Sequence, residues 1–335
     1  MINTALGEIS PAELGVTSSH EHVLIDMRHC VDVTGNEPEI FFENITLENR
    51  GEVLSDPYAI LDNALLSEID KAVWEMKFFK QFGGNTVVDC TLDEIGRDPL
   101  ALRLISEKSG VNIIIGSGHY YHKAHAPYVK HATVSDLADE IRRDLTVGIG
   151  DTGIKAGIIG EIGTSAVISE DEYKCLRAAG IASAECDRPI HVHTDLYTEN
   201  GFDIINTLVA EGARPERICI DHVDVLLRPD YVRGLLDLGV YVEFDDFGKE
   251  FYVNRDRRFA YDLERIHLLR QLINEGYGDR ILLCNDVCLK TMWRSYGGPG
   301  YAHILRTVKQ MAIENGISED RYNSILTDNV RAFLT

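Results

Sequence analysis

Basic residues are scarce in this chain: 33 Lys and Arg stand against 54 Asp and Glu, a formal net charge of −21 over 335 residues. Nucleic acid and anionic membranes are bound through basic patches. Here the few cations are scattered among acids, so neither is an expected partner. Cysteine offers no scaffold either. The seven (Cys30, Cys90, Cys175, Cys186, Cys219, Cys284 and Cys288) are odd in number, show no CxxC spacing and lie mostly in apolar runs. That excludes a disulfide framework and predicts reduced, buried thiols in a cytoplasmic protein. Residues 1–15 have neither a basic start nor a long apolar run, and no later window reaches the length of a membrane span, so neither a signal peptide nor a transmembrane helix is expected. No proline-rich linker, low-complexity tract or internal repeat divides the chain, and one domain over residues 1–335 is the expected organisation.

What is present has a rhythm. Apolar, β-branched-rich runs recur at Val16 to Asp26, Thr86 to Glu94, Val111 to Tyr121, Ala156 to Thr164, Pro189 to Leu196, Ile218 to Val225, Val240 to Gly248 and Ile281 to Cys288. Segments with helical spacing lie between them. Leu61 to Phe82 puts Leu65, Ile69, Val73, Met76 and Phe79 on one face, and Asp136 to Leu145 and Asp262 to Glu275 repeat the pattern. Gly83-Gly84, Gly110, Gly212 and Gly239 stand where helices would stop. About eight alternations of strand and helix, with strands apolar on both faces, predict an α/β fold of the (β/α)₈ TIM barrel type. The polar, aperiodic stretch from Val31 to Pro57 reads as a long loop and flap, and the tail from Pro299 as terminal helices.

Polar constellations fall at the C-terminal ends of the predicted strands, the end at which such barrels build active sites. His20-Glu21-His22 is the most telling. Residues i and i+2 of a strand share a face about 6.6 Å apart, so His20 and His22 present two imidazoles to one ion while Glu21 points away. His191-Val192-His193, Cys284-Asn285-Asp286, Glu161 and His222 add imidazole and carboxylate, the usual ligands of zinc-like ions. A lone histidine at a strand end is ordinarily a hydrogen-bonded structural residue. Ligand types on five strands at one end of one barrel point instead to a metal centre.

These segments carry a resemblance to a known family. Gly7-Glu8-Ile9-Ser10-Pro11-Ala12-Glu13-Leu14-Gly15 followed by Thr17-Ser18-Ser19-His20-Glu21-His22 resembles the opening of the phosphotriesterase family of the amidohydrolase superfamily. Lys155 to Thr164, His193-Thr194, Asp221-His222, Asn285-Asp286 and Tyr296-Gly297-Gly298-Pro299-Gly300-Tyr301 follow in the family's order. The resemblance implies that His20, His22, Glu161 and Asp286 hold one metal and Glu161, His193 and His222 a second, with Glu161 bridging; zinc is the expected ion. His191 is left as a strand residue or a support, and ligation by it as an outside alternative. Phosphotriesterases and their lactonase relatives bridge the ions with a carbamylated lysine. Here Glu161 takes that place, as in the phosphotriesterase homology and phosphotriesterase-related branch, which includes an N-acetyl-amino-sulfonate hydrolase. Lys155, the competing bridge, begins the strand and belongs nearer the barrel floor.

Two divalent ions sharing a carboxylate make a bridging hydroxide available near neutral pH and polarise the scissile oxygen. The expected activity is therefore hydrolysis of a carboxyl-level bond (lactone, ester or N-acyl amide) in a small anionic substrate. Phosphoric ester hydrolysis, or a silent barrel that only binds a small molecule, are the alternatives. Asp286 is the candidate general acid/base. Asp224 and Asp245 either orient ligand imidazoles or are solvated loop acids. Tyr120 either donates to an oxyanion, as a tyrosine does in related lactonases, or simply packs. Lys249 matches a lysine that phosphorylated-sugar lactonases set against phosphate, whereas Leu289 and Met292 replace their further contacts. Asp246 stands where homoserine-lactone lactonases carry arginine. Lys249, helped by Lys290 or Arg294, is thus the candidate substrate contact at the mouth, alongside Tyr120. A homodimer is expected.

Overall fold

Every apolar run becomes a strand, and the order in the sheet is the order in the chain: β1 (Val16–Glu21), β2 (Gly84–Asp89), β3 (Asn112–Ser117), β4 (Ile158–Gly163), β5 (Ile190–His193), β6 (Ile218–Ile220), β7 (Tyr241–Phe244) and β8 (Ile281–Leu283). The computed structural model describes residues 1–31, 39–253 and 257–335. All paired neighbours run parallel. The two ends of the sheet, β1 and β8, lie side by side, so the sheet curls into a nearly closed barrel. Among the described residues no backbone ladder joins that pair. A side chain does: Ser19 Oγ donates to the Leu283 carbonyl at 3.2 Å.

Parallel strands are covered on both faces, and β3 shows why its run is continuously apolar. Ile113 and Ile115 pack outward against the helices while Ile114 packs into the barrel with Val88, Ile158 and Leu282. The interior is closed at the floor by the chain's last helix, Val330–Leu334, whose Phe333 reaches the Tyr241 ring at 5.0 Å and the His191 ring at 5.1 Å. The outer helices are α1 (Ile69–Gln81), α2 (Pro99–Ser109), α3 (Val134–Thr146), α4 (Glu170–Cys186), α5 (Gly201–Ala210), α6 (Pro229–Asp237) and α7 (Asp262–Asn274). Their ends follow local chemistry. In α2, Asp98 accepts from the Ala101 N–H, Pro99 opens the first turn, and Gly110 at φ 71° closes the last.

Two segments depart from expectation. The apolar periodicity over Leu61 to Phe82 is not one helix: Leu61–Ala64 is a 3₁₀ turn and Leu65–Leu66 pairs antiparallel with Ile25–Asp26, so α1 starts only at Ile69. Burial of Leu66 against Ile25 overrides local helical spacing. Of the expected flap, residues 32–38 lie outside the described residues. The remainder is not a bare loop, because it contains a helix, Arg50–Ser55, and buries Phe41, Ile45 and Val53. Arg50 donates to the carbonyls of Tyr296 at 2.9 Å and Gly297 at 2.8 Å, tying this segment to the loop after β8. The tail beyond Pro299 is helical over Ile304–Glu314 and Glu319–Leu334 as expected. Among the described residues no helix is long and apolar enough to cross a membrane.

Candidate metal centre

The C-terminal strand ends bring all six expected ligands to one point on the barrel axis. The carboxylate of Glu161, from β4, lies at the middle. Its Oε1 is 3.1 Å from His22 Nε2, whereas Oε2 is 3.2 Å from His193 Nδ1, 3.5 Å from His20 Nε2 and 3.7 Å from His222 Nε2. Asp286 Oδ1 closes the first group at 3.2 Å from His22 Nε2 and 3.9 Å from His20 Nε2. His222 Nε2 and His193 Nδ1 face each other at 2.8 Å. Two imidazole lone pairs repel at that distance unless a proton or a cation lies between them. His222 and Asp286 are non-glycine residues with left-handed backbone, φ 62° and 44°, which turns both side chains back over the strand ends.

The charges fit a cation. Burial alone would push the Glu161 carboxyl up, but the His20, His193 and His22 imidazoles outweigh it and hold it well below the usual carboxylate range. Asp286 behaves likewise: burial is overcome by the Lys249 ammonium and by His22 and His20. Burial lowers the His22 imidazole, yet Asp286 and Glu161 win and raise it to about 9. A field that retains protons on buried imidazoles is one that also attracts divalent ions. Two buried atoms that face the centre, His20 Nε2 and Asp286 Oδ1, have no hydrogen-bond partner, as donor atoms awaiting a metal would.

Most ligand imidazoles are aimed through their other nitrogen. Thr91 Oγ1 is 2.9 Å from His22 Nδ1, Asp245 Oδ2 is 3.0 Å from His222 Nδ1, and Asp221 Oδ2 and Glu243 Oε2 each lie 3.4 Å from His20 Nδ1. Asp245 thus orients an imidazole as expected. Asp224 does not: its oxygens accept the backbone N–H groups of Asp245 and Asp246, both at 3.3 Å, and pair with the buried Arg265 at 2.9 Å. His191 shares the inward face of His193 but sits a layer deeper, with Nδ1 3.0 Å from Asp221 Oδ1 and 3.2 Å from Glu243 Oε2. It lies under the ligand set. Lys155, half-exposed and 3.8 Å from Glu8, stands at the floor.

The centre opens into a cavity of about 610 Å³, part of it open to solvent, walled by Met27, Tyr58, Leu196, Phe251, Phe259 and Leu289. Tyr120 is buried over the centre with its hydroxyl 3.3 Å from His193 Nδ1. Burial pushes that phenol well above its ordinary value, so it remains a neutral donor. Lys249 lines the cavity but not its mouth. The ammonium is buried, 2.9 Å from Asp246 Oδ1 and in contact with Asp286 Oδ2, so its charge is already matched. Lys290 pairs with Asp62 at 2.5 Å, and the Arg294 guanidinium lies 4.2 Å over the Phe78 ring. Neither lines the cavity. Sequence reasoning missed Tyr58, hidden in a segment without periodicity, and Phe251 and Phe259, whose loop carries no motif.

The sequence matches the model of the phosphotriesterase family over residues 1–334. The chain belongs to that family. Among its relatives, an N-acetyltaurine hydrolase of Xenopus tropicalis is 34% identical over 340 residues, covering 100% of this chain and 97% of that protein. A resiniferatoxin-binding protein from Rhodobacter sphaeroides superposes with a TM-score of 0.97 at 30% identity, covering 99% of this chain and 94% of that one. A lactonase from Listeria monocytogenes superposes with a TM-score of 0.81 at 25% identity over 100% and 98% of the two chains.

Proposed function

We propose that this chain is a metal-dependent hydrolase of a carboxyl-level bond, with two zinc ions held by His20, His22 and Asp286 on one side and His193 and His222 on the other. Glu161 is shared between them. The observation that carries this reading is the Glu161 carboxylate, whose two oxygens turn to different imidazoles inside a donor set that is buried except for the partly exposed His193. Bound divalent ions there would acidify a water and polarise a carbonyl oxygen. The chain's own groups supply the rest. Asp286 Oδ2, kept ionised by Lys249, takes the proton of the attacking water and returns it to the leaving nitrogen or oxygen. The Tyr120 hydroxyl donates to the oxyanion as it develops. The apolar walls limit water to the reacting one.

An N-acyl amide of a small acidic amine is the preferred substrate class, supported by the N-acetyltaurine hydrolase relative. A lactone with an apolar substituent is the second reading, favoured by the aromatic and aliphatic cavity wall. Purified protein assayed on N-acetyltaurine, other N-acyl amino acids, alkyl lactones and phosphotriesters tests both. Amide or lactone turnover should exceed phosphotriester turnover by at least about tenfold, vanish with chelator and return with zinc. Faster phosphotriester hydrolysis would transfer the activity to phosphoric esters. The reading extends to a homodimer, checked by light scattering, and to a cytoplasmic setting, which the absence of any disulfide among the seven cysteines supports.

A further inference from the structure

Glu21 lies between two metal-ligand histidines and turns its side chain away from them. Its carboxylate is fully buried and reaches across the β1–β8 seam. There it accepts four hydrogen bonds. Oε1 takes the Ser18 hydroxyl at 2.7 Å, the Asn285 side-chain amide at 3.0 Å and the Asn285 backbone N–H at 3.1 Å, and Oε2 takes the Val287 backbone N–H at 2.7 Å. Asn285 and Val287 flank Asp286, the ligand whose own backbone sits at φ 44°. The pair β1 and β8 has no backbone ladder among the described residues, so at the ligand end this carboxylate supplies the joint that the strands do not. Asn285 is fixed in turn by its second amide hydrogen bond, to the Tyr301 carbonyl at 3.0 Å, while the Tyr301 hydroxyl donates to the His22 carbonyl at 2.7 Å.

We propose that Glu21 is a positioning residue that holds Asp286 in register with His20 and His22 across the open seam of the barrel, and so sets the geometry of one of the two ion positions. The proposal rests on the metal reading above. The chemistry demands a carboxylate. Four donors converge on two oxygens, and an ionised carboxyl offers about four acceptor positions and no proton of its own. A glutamine would aim an amide N–H at a backbone N–H, and an aspartate would fall a methylene short of Asn285 and Val287. The distant partner Glu161 is untouched by either change, because Glu21 hydrogen-bonds only toward β8 and Ser18 among the contacts above.

The test is zinc retention by the zinc-loaded full chain against a competing chelator. Glu21→Gln should loosen one of the two ions by about 10–100-fold, the range for residues that orient ligands, and leave the other unchanged. In an Asp286→Ala background, which removes that ligand altogether, the same replacement should add less than about threefold, because nothing is left for it to position. Equal loosening of both ions, or the same factor in both backgrounds, would mark Glu21 as a general stabiliser and overturn the proposal. If Glu21→Gln does not fold, Ser18→Ala takes its place: it removes one of the four donors and should give a smaller effect with the same dependence on Asp286. A wild-type chain that binds two ions beside a Glu21→Gln that holds both as tightly overturns this proposal alone. A wild-type chain that binds no zinc overturns the metal reading and this one with it.

Discussion

Glu161 and Asp286 are both buried carboxylates at the same centre, but their surroundings give them different work. Among the described residues Glu161 pairs with imidazoles, so its replacement by alanine leaves Asp286 to balance two cations with no carboxylate shared between them. Glu161→Ala should lose most of its metal, read as ions per chain after purification without chelator, and a variant retaining both ions would contradict the bridging role. Asp286 touches an ammonium as well as an imidazole. Asp286→Asn keeps an oxygen for the ion but cannot take a proton, so metal should be largely retained while turnover falls by about 10²–10⁴-fold. Near-wild-type rate with metal bound would point to another base. Lys249 is read differently once its partners are known. Because its charge is spent on Asp246 and Asp286, Lys249→Met should depress kcat for neutral and anionic substrates alike. A KM increase confined to anionic substrates would show instead that the ammonium leaves its carboxylates to bind substrate.

Among the elements, the loop after β7 is built by a charged strut rather than by apolar packing. Arg265, on α7 and fully buried, pairs with Asp224 at 2.9 Å and Asp262 at 3.1 Å, and those carboxylates accept the N–H groups of Asp245, Asp246 and Gly248. Arg265→Leu leaves Asp224 buried without its cation and Asp262 with His303 at 2.7 Å, so denaturant unfolding should show a loss of about 3–5 kcal/mol. A loss below about 1 kcal/mol would mean that water or protonation replaces the strut. Sequence reading reached the strands because parallel strands must be apolar on both faces, and it reached the cluster because period-two spacing puts His20 with His22 at a strand end, whereas only the family resemblance separated His193 from His191. It overran the helix at Leu61 because an antiparallel pairing with Ile25–Asp26 cannot be seen in local periodicity. Glu21, Glu243 and Arg265 were illegible as supports for a related reason: each acts across strands, and the register that brings Glu21 to Asn285 or Glu243 to His20 exists only once the barrel closes.

For the whole molecule, the ions and the protons compete for one buried cluster, and that sets how stability depends on pH. Burial disfavours charge on His22 and His191, but the carboxylates beside them prevail and raise both to about 9. A raised histidine contributes stability that is fully present below its unfolded value of about 6.5 and is lost as pH climbs through the folded value. Glu161 and Asp286 are held low despite burial, so their contribution is present above about 4 and is lost as pH falls further. Metal-free protein should therefore be most stable between about pH 4.5 and 6.5 and should weaken steadily toward pH 9. Zinc-loaded protein should not follow it, because His22 then binds an ion in place of a proton. The deeper His191 still titrates. The net charge of −21 repels itself in both forms, so the difference between them isolates the centre. Melting temperatures of chelator-treated and zinc-loaded protein at pH 6, 7.5 and 9 should diverge, with the gap widening as pH rises. Parallel curves would mean that the buried imidazoles are neutral without metal and that the carboxylates around them, not the histidines, carry the protons.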